Sequence, residues 1–177
     1  MNFLLLPLSY FLSGFFMKFS DDEFDENKNV KMAIVLSVVC GIFAAIASII
    51  SGDTTCIYVG VLIGTLLSLK IDGLHHIVTL LIFFILLAVF GFPSFNPFLL
   101  VFVVIGALID EWGNDNPIFY TGGFLQYFFD YRFTLKIVIL FLSIFGYFQW
   151  YIFICFILFD LGYEFARILF NKYFLLK

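Results

Sequence analysis

Charge is scarce in this sequence. Asp, Glu, Lys and Arg together make up 12% of its 177 residues, about half of the ~25% found in an ordinary soluble domain. That shortage leaves too few polar side chains to cover a solvated globular surface or to keep a disordered chain in solution. Lys and Arg number nine, form no tract, and leave a net charge of −4, so nucleic acid is not expected as a partner. The three cysteines, Cys40, Cys56 and Cys155, share no C-x-x-C spacing, which argues against a cysteine zinc site and a disulfide framework. H-E-x-x-H, G-x-S-x-G, Walker A and G-x-G-x-x-G patterns are all missing. The segment Met1-Asn2-Phe3 lacks the basic n-region of a signal peptide, so the first apolar segment is expected to remain as a span.

What the chain has is apolar surface. Hydrophobic residues account for 63% and aromatic ones for 22%, and the mean hydropathy is +1.10. Apolar runs of helical rather than barrel-strand length predict an all-α fold, a polytopic integral membrane helical bundle in the cell membrane. Polar punctuation marks its spans at 2–17, 32–50, 55–69, 74–91, 97–109 and 133–170. The last run is too long for one crossing: 38 residues would reach about 57 Å against a hydrocarbon core of about 30 Å. A fold-back near Gly146-Tyr147-Phe148-Gln149-Trp150 raises the count to seven, within a range of six to eight. The whole chain, 1–177, then forms one transmembrane domain, with an acidic loop over 18–31 and a polar, then aromatic, interfacial or re-entrant segment over 110–132. Asp53 or Thr54 is expected to cap the helix that follows the turn at residues 51–54.

With seven spans every Lys and Arg falls on one face: Lys18, Lys28, Lys31, Lys70, Arg132, Lys136, Arg167, Lys172 and Lys177. The positive-inside rule makes that face cytoplasmic, placing the N-terminus outside and the C-terminus inside. Nearly all the acids collect there too, with Asp53 the exception.

Three constellations could carry chemistry. In the first, Asp160, Glu164 and Arg167 stand at i, i+4 and i+7 on one helix face, in a segment where charge is costly. An internal Glu164–Arg167 pair would account for two of them. In the second, Lys70-Ile71-Asp72-Gly73-Leu74-His75-His76 sets Asp72 within reach of one imidazole for metal binding or proton transfer. The two histidines, about 100° apart on a helix, are not expected to point the same way. Asp72 as a helix cap beside interfacial histidines is the plainer alternative. In the third, Asp21-Asp22-Glu23-Phe24-Asp25 has the D-D-x-x-D form and resembles the aspartate-rich motif of enzymes that bind prenyl diphosphates through Mg²⁺. The resemblance covers five residues; the second aspartate-rich motif of those enzymes is absent, and family membership is not assigned.

Gathered carboxylates repel one another unless a cation or a shared proton intervenes. The expectation is therefore a metal-dependent enzyme acting on a lipid or isoprenoid phosphate at the cytoplasmic end. A divalent cation such as Mg²⁺ would be held by some of Asp21, Asp22, Asp25, Asp72, Asp110, Glu111, Asp160 and Glu164. Lys70 and Arg132 would hold phosphate, and His75 or His76 would move a proton. The alternatives are a cation- or proton-coupled transporter or channel built on Asp160 and Glu164, and a small membrane scaffold or complex subunit.

Overall fold

A computed structural model describes residues 4–71, 73–116, 118 and 123–172. The expected metal ligand Asp72, the C-terminal Lys177 and part of the 110–132 segment lie outside the described residues. Among those described, the chain is all-α: α1 Leu5–Asp25, α2 Val30–Ile50, α3 Gly52–Leu67, α4 Leu74–Phe90, α5 Pro97–Asp115, α6 Phe124–Asp130, α7 Phe133–Ile144 and α8 Trp150–Phe170. Two of these, α2 and α5, are long and apolar enough to cross a membrane; α3, α4 and α7 are shorter apolar helices. The helices α1 and α8 equal α2 in length but carry charge, Lys18 to Asp25 on α1 and Asp160, Glu164 and Arg167 on α8.

Local sequence explains most boundaries. Asn29 caps α2 by accepting from Met32 N–H, and Asn96 caps α5 by accepting from Phe98 N–H with Pro97 in the first turn. The helix α3 begins at Gly52, so neither Asp53 nor Thr54 is its cap as expected; Asp53 sits inside the first turn and accepts from Gln149 N–H at 3.0 Å. The stretch expected to be a loop from residue 18 is helical as far as Asp25. A Lys18–Asp22 pair at i, i+4 and 2.7 Å supports that extra length. The run 133–170 breaks between Ile144 and Trp150. There Gly146 takes φ +74°, and the Tyr147 and Phe148 N–H groups both return to the Leu142 carbonyl.

The chain divides into two compact units. The first contains 1–51, 72–93 and 154–177, and so holds α1, α2, α4 and most of α8. Its contacts fix helix directions. Ser20 bonds Ser37 while Ser13 bonds Cys40, so α1 and α2 are antiparallel. Thr79 meets Ser37 and Ile82 meets Gly41, so α2 and α4 are parallel. Phe15 packs on Phe165 and Phe19 on Phe170, so α1 and α8 are parallel. The α1–α8 crossing is very close: a Cβ on Gly14 would stand 2.1 Å from the Phe159 carbonyl oxygen, and one on Gly162 2.1 Å from that of Phe11.

The second unit contains 52–71 and 94–153, and so holds α3, α5, α6 and α7. Gly60 faces Val103 and Gly64 faces Ala107, which makes α3 and α5 parallel neighbours through a G-x-x-x-G contact. Gly106 meets Leu135 and Val138 while Asp110 reaches Thr134, so α7 runs antiparallel to α5.

Candidate metal centre

Three candidate ligands of two types, one carboxylate and two imidazoles, meet in the first unit. Asp21, in the last stretch of α1, lies beside His75 and His76, in the first turn of α4. The His75 Nε2 is 3.1 Å and the His76 Nδ1 3.9 Å from Asp21 Oδ1. One donor atom from each of the three lies within 4.8 Å of the other two, the one such group among the described residues. A tetrahedral ion with bonds of about 2.0–2.1 Å holds its ligand atoms roughly 3.3 Å apart. The two carboxylate–imidazole distances bracket that value.

The histidines are set by packing. Their rings lie with centroids 3.9 Å apart and planes tilted by 38°, and Phe24 covers His75 at 4.4 Å. Thr79 donates to the His75 carbonyl at 3.2 Å, one turn into α4. Gly73 allows the ring to fold back: a Cβ there would lie 2.3 Å from His75 Nδ1 and Cε1. His75 is only 2% exposed, and its buried Nδ1 has no hydrogen-bond partner among the described residues. An orphaned polar atom costs about 1–3 kcal/mol, and the partner usually found on the second nitrogen of a ligating histidine is not seen at this one. The expectation that the two imidazoles diverge is corrected here. Their Cα–Cβ directions differ, but the ring torsions bring both to one carboxylate.

The other expected site residues are placed differently. Asp22 is buried and paired with Lys18. Asp25 is exposed, one turn beyond Asp21. In the second unit Asp110, 1% exposed, accepts from Thr134 N–H at 2.9 Å and Leu135 N–H at 2.7 Å. Both its oxygens thus cap the N-terminus of α7 from a neighbouring helix. Glu111 is buried against the Arg132 guanidinium at 2.8 Å, and Lys70 pairs with Asp115. Lys70 and Arg132, expected to hold phosphate, are thus engaged in ion pairs. On α8 Glu164 pairs with Arg167 at 2.5 Å, and Asp160 is half-buried. Residues missed in the sequence are Phe24, Gly73 and Thr79, which shape the His75 niche, and Lys18, three residues before Asp21 on the same helix face.

Compared with protein-family models, curated proteins and solved structures, the chain matches none.

Proposed function

We propose that this chain is a multi-pass membrane protein that holds one divalent metal ion on Asp21, His75 and His76 at its cytoplasmic end, and that the ion serves an enzyme acting on a lipid or isoprenoid phosphate. The observation that carries the reading is the convergence of three ligand atoms from α1 and α4 around a buried imidazole.

Helix directions support the crossing number. If α1, α2, α3, α4, α5, α7 and α8 cross in turn, odd and even crossings run oppositely. The first unit has α1 parallel to α8 with α2 and α4 opposed to α1, and the second has α3 and α5 opposed to α7. An extra crossing between α5 and α7 would make those two parallel, and α6, at seven residues or about 10 Å, is too short to supply one. Large apolar side chains left uncovered along single helix faces, such as Ile77, Leu81, Phe84 and Ile85 on α4, suit lipid contact. Within each unit the described basic residues gather at one end, Lys18, Lys28, Lys31, Arg167 and Lys172 in the first and Lys70, Arg132 and Lys136 in the second.

The donor set refines the metal. Two imidazoles with one carboxylate suit Zn²⁺, Mn²⁺ or Fe²⁺ better than Mg²⁺, which prefers oxygen. Three protein ligands leave a position open, where a metal ion polarises a phosphoryl oxygen or lowers the pKa of water.

The test uses detergent-purified protein, with calorimetry for Zn²⁺, Mn²⁺ and Mg²⁺ and phosphate release from phosphatidic acid and prenyl phosphates. About one Zn²⁺ or Mn²⁺ per chain is expected, lost in His75→Ala and in Asp21→Asn, with release that needs the ion. Absence of binding removes the metal reading. Binding without release, together with gradient-driven ion uptake into proteoliposomes, replaces the enzyme by a carrier.

A further inference from the structure

The second unit has an open cavity of about 520 Å³ where three turns meet, lined by Asp53 and Cys56 of α3, residues 94–96, Leu99 of α5, and Gly146, Tyr147 and Phe148. Its contents are unlike those of the metal centre. One carboxylate stands there with the rings of Phe95, Tyr147 and Phe148, and neither Lys nor Arg contributes to the lining. One Asp53 oxygen accepts from Gln149 N–H, and among the described residues no cation pairs with this carboxylate. Three helix N-termini open nearby, those of α3, α5 and α8, which alone would favour an anion, although the Asp53 carboxylate already meets the Gln149 N–H just before α8. Asn96 caps α5, however, and Asp53 supplies a full negative charge to the first turn of α3. The C-terminal end of α7, just before Gly146, adds a negative pole. A hard metal ion is poorly served as well, since it needs six or more oxygen ligands and finds one partly occupied carboxylate.

We infer that this cavity binds an organic ammonium group, of the choline or ethanolamine type, through the charge of Asp53 and the rings of Phe95 and Tyr147. Aromatic rings beside an ammonium supply cation–π attraction at little desolvation cost, and the carboxylate supplies the ion pair. The volume falls within the range of about 300–1,000 Å³ usual for small-ligand sites. The source is either a lipid headgroup or a free organic cation; both present the same chemistry. This inference does not rest on the metal reading, because no residue is shared between the two sites.

The test is titration of the full chain in maltoside detergent with choline chloride and with tetramethylammonium, followed by tyrosine and tryptophan fluorescence and by calorimetry, with NaCl holding ionic strength constant. Saturable binding is expected. It should weaken at least about tenfold in Asp53→Asn, which keeps an acceptor for Gln149, and similarly in Tyr147→Leu. His75→Ala should bind ammonium as the unaltered chain does, which separates failure here from failure of the metal site. Circular dichroism melts establish that each variant is folded. Unchanged affinity in folded Asp53→Asn, no saturable signal from the unaltered chain, or preference for glycerol phosphate over choline would each overturn the inference. Reconstitution in discs then assigns the source. Phosphatidylcholine discs that abolish choline binding, where phosphatidylglycerol discs do not, identify a headgroup site. Equal choline binding in both identifies a free-cation site.

Discussion

His75 lies over Gly73 so closely that a methyl group there would displace the ring. Gly73→Ala is therefore expected to leave both histidines and Asp21 in the chain yet lower metal affinity roughly 10–100-fold, the range for losing a group that orients a ligand. Calorimetry with Zn²⁺ on a variant with an unchanged melt is the check; unaltered affinity would show that the ring is held some other way. Asp110 makes the opposite case. Its two oxygens accept from two backbone N–H groups at the start of α7. Charge-assisted bonds contribute about 1.5–3 kcal/mol each, so Asp110→Ala should cost on the order of 3 kcal/mol, and Asp110→Asn less because one oxygen remains. Denaturant unfolding measures this, and a lost activity with stability intact would instead return Asp110 to the site. These two residues show what the sequence could and could not convey. His75 and His76 are visible as a candidate pair, and the carboxylate found beside them among the described residues is that of Asp21, 54 positions earlier. Nothing in local spacing marks a partner brought by α1. Lys70 and Arg132 look available for phosphate only until Asp115 and Glu111 are brought against them.

Among the helices, the clearest sequence signals are breaks. Glycine with an amide and interfacial aromatics at Gly146–Trp150 locates the end of α7 and the start of α8 because a positive φ is needed there and glycine supplies it. The polar residues from Lys18 to Asp25 mislead, since helix and loop are equally open to charged side chains until burial is known. Asp22 and Glu23 are buried within the fold, and α1 continues through them. Close crossings are legible only in part. Gly60 and Gly64 carry a recognisable motif, whereas Gly14 and Gly162 lie 148 positions apart and acquire meaning by meeting each other's helix backbone. Gly162→Leu should force α8 away from the Phe11 carbonyl and destabilise the chain by about 1–3 kcal/mol or more. The same change at Gly146, where nothing lies within 4 Å of an added Cβ, meets backbone strain instead of a neighbour. A urea titration in detergent that finds Gly162→Leu as stable as the unaltered chain would contradict the packing.

At the scale of the whole molecule, the proposed orientation rests on where charge is tolerated. Lysine or arginine at the centre of a spanning helix costs about 2.5–3.5 kcal/mol each, and basic loops are retained on the cytoplasmic side. In the first unit, Lys18, Lys28, Lys31 and Arg167 share the end that bears Asp21 and the histidines. In the second, Lys70 and Arg132 mark one end, and the turn at residues 94–96 belongs to the other, where α5 begins. Each unit is thus polarised independently, and a single rule orients both. Cysteine accessibility tests the rule with little background, because Cys40, Cys56 and Cys155 are all buried. Ser94→Cys should react with a membrane-impermeant maleimide on intact cells, whereas Glu26→Cys should react only after permeabilisation, both positions being exposed on the protein itself. Exchange of the two patterns would turn the metal centre toward the outside, leaving its chemistry intact and changing which substrates reach it. Labelling of both from one side would require an even number of crossings between residues 26 and 94, against the three that the proposed multi-pass reading assigns to α2, α3 and α4.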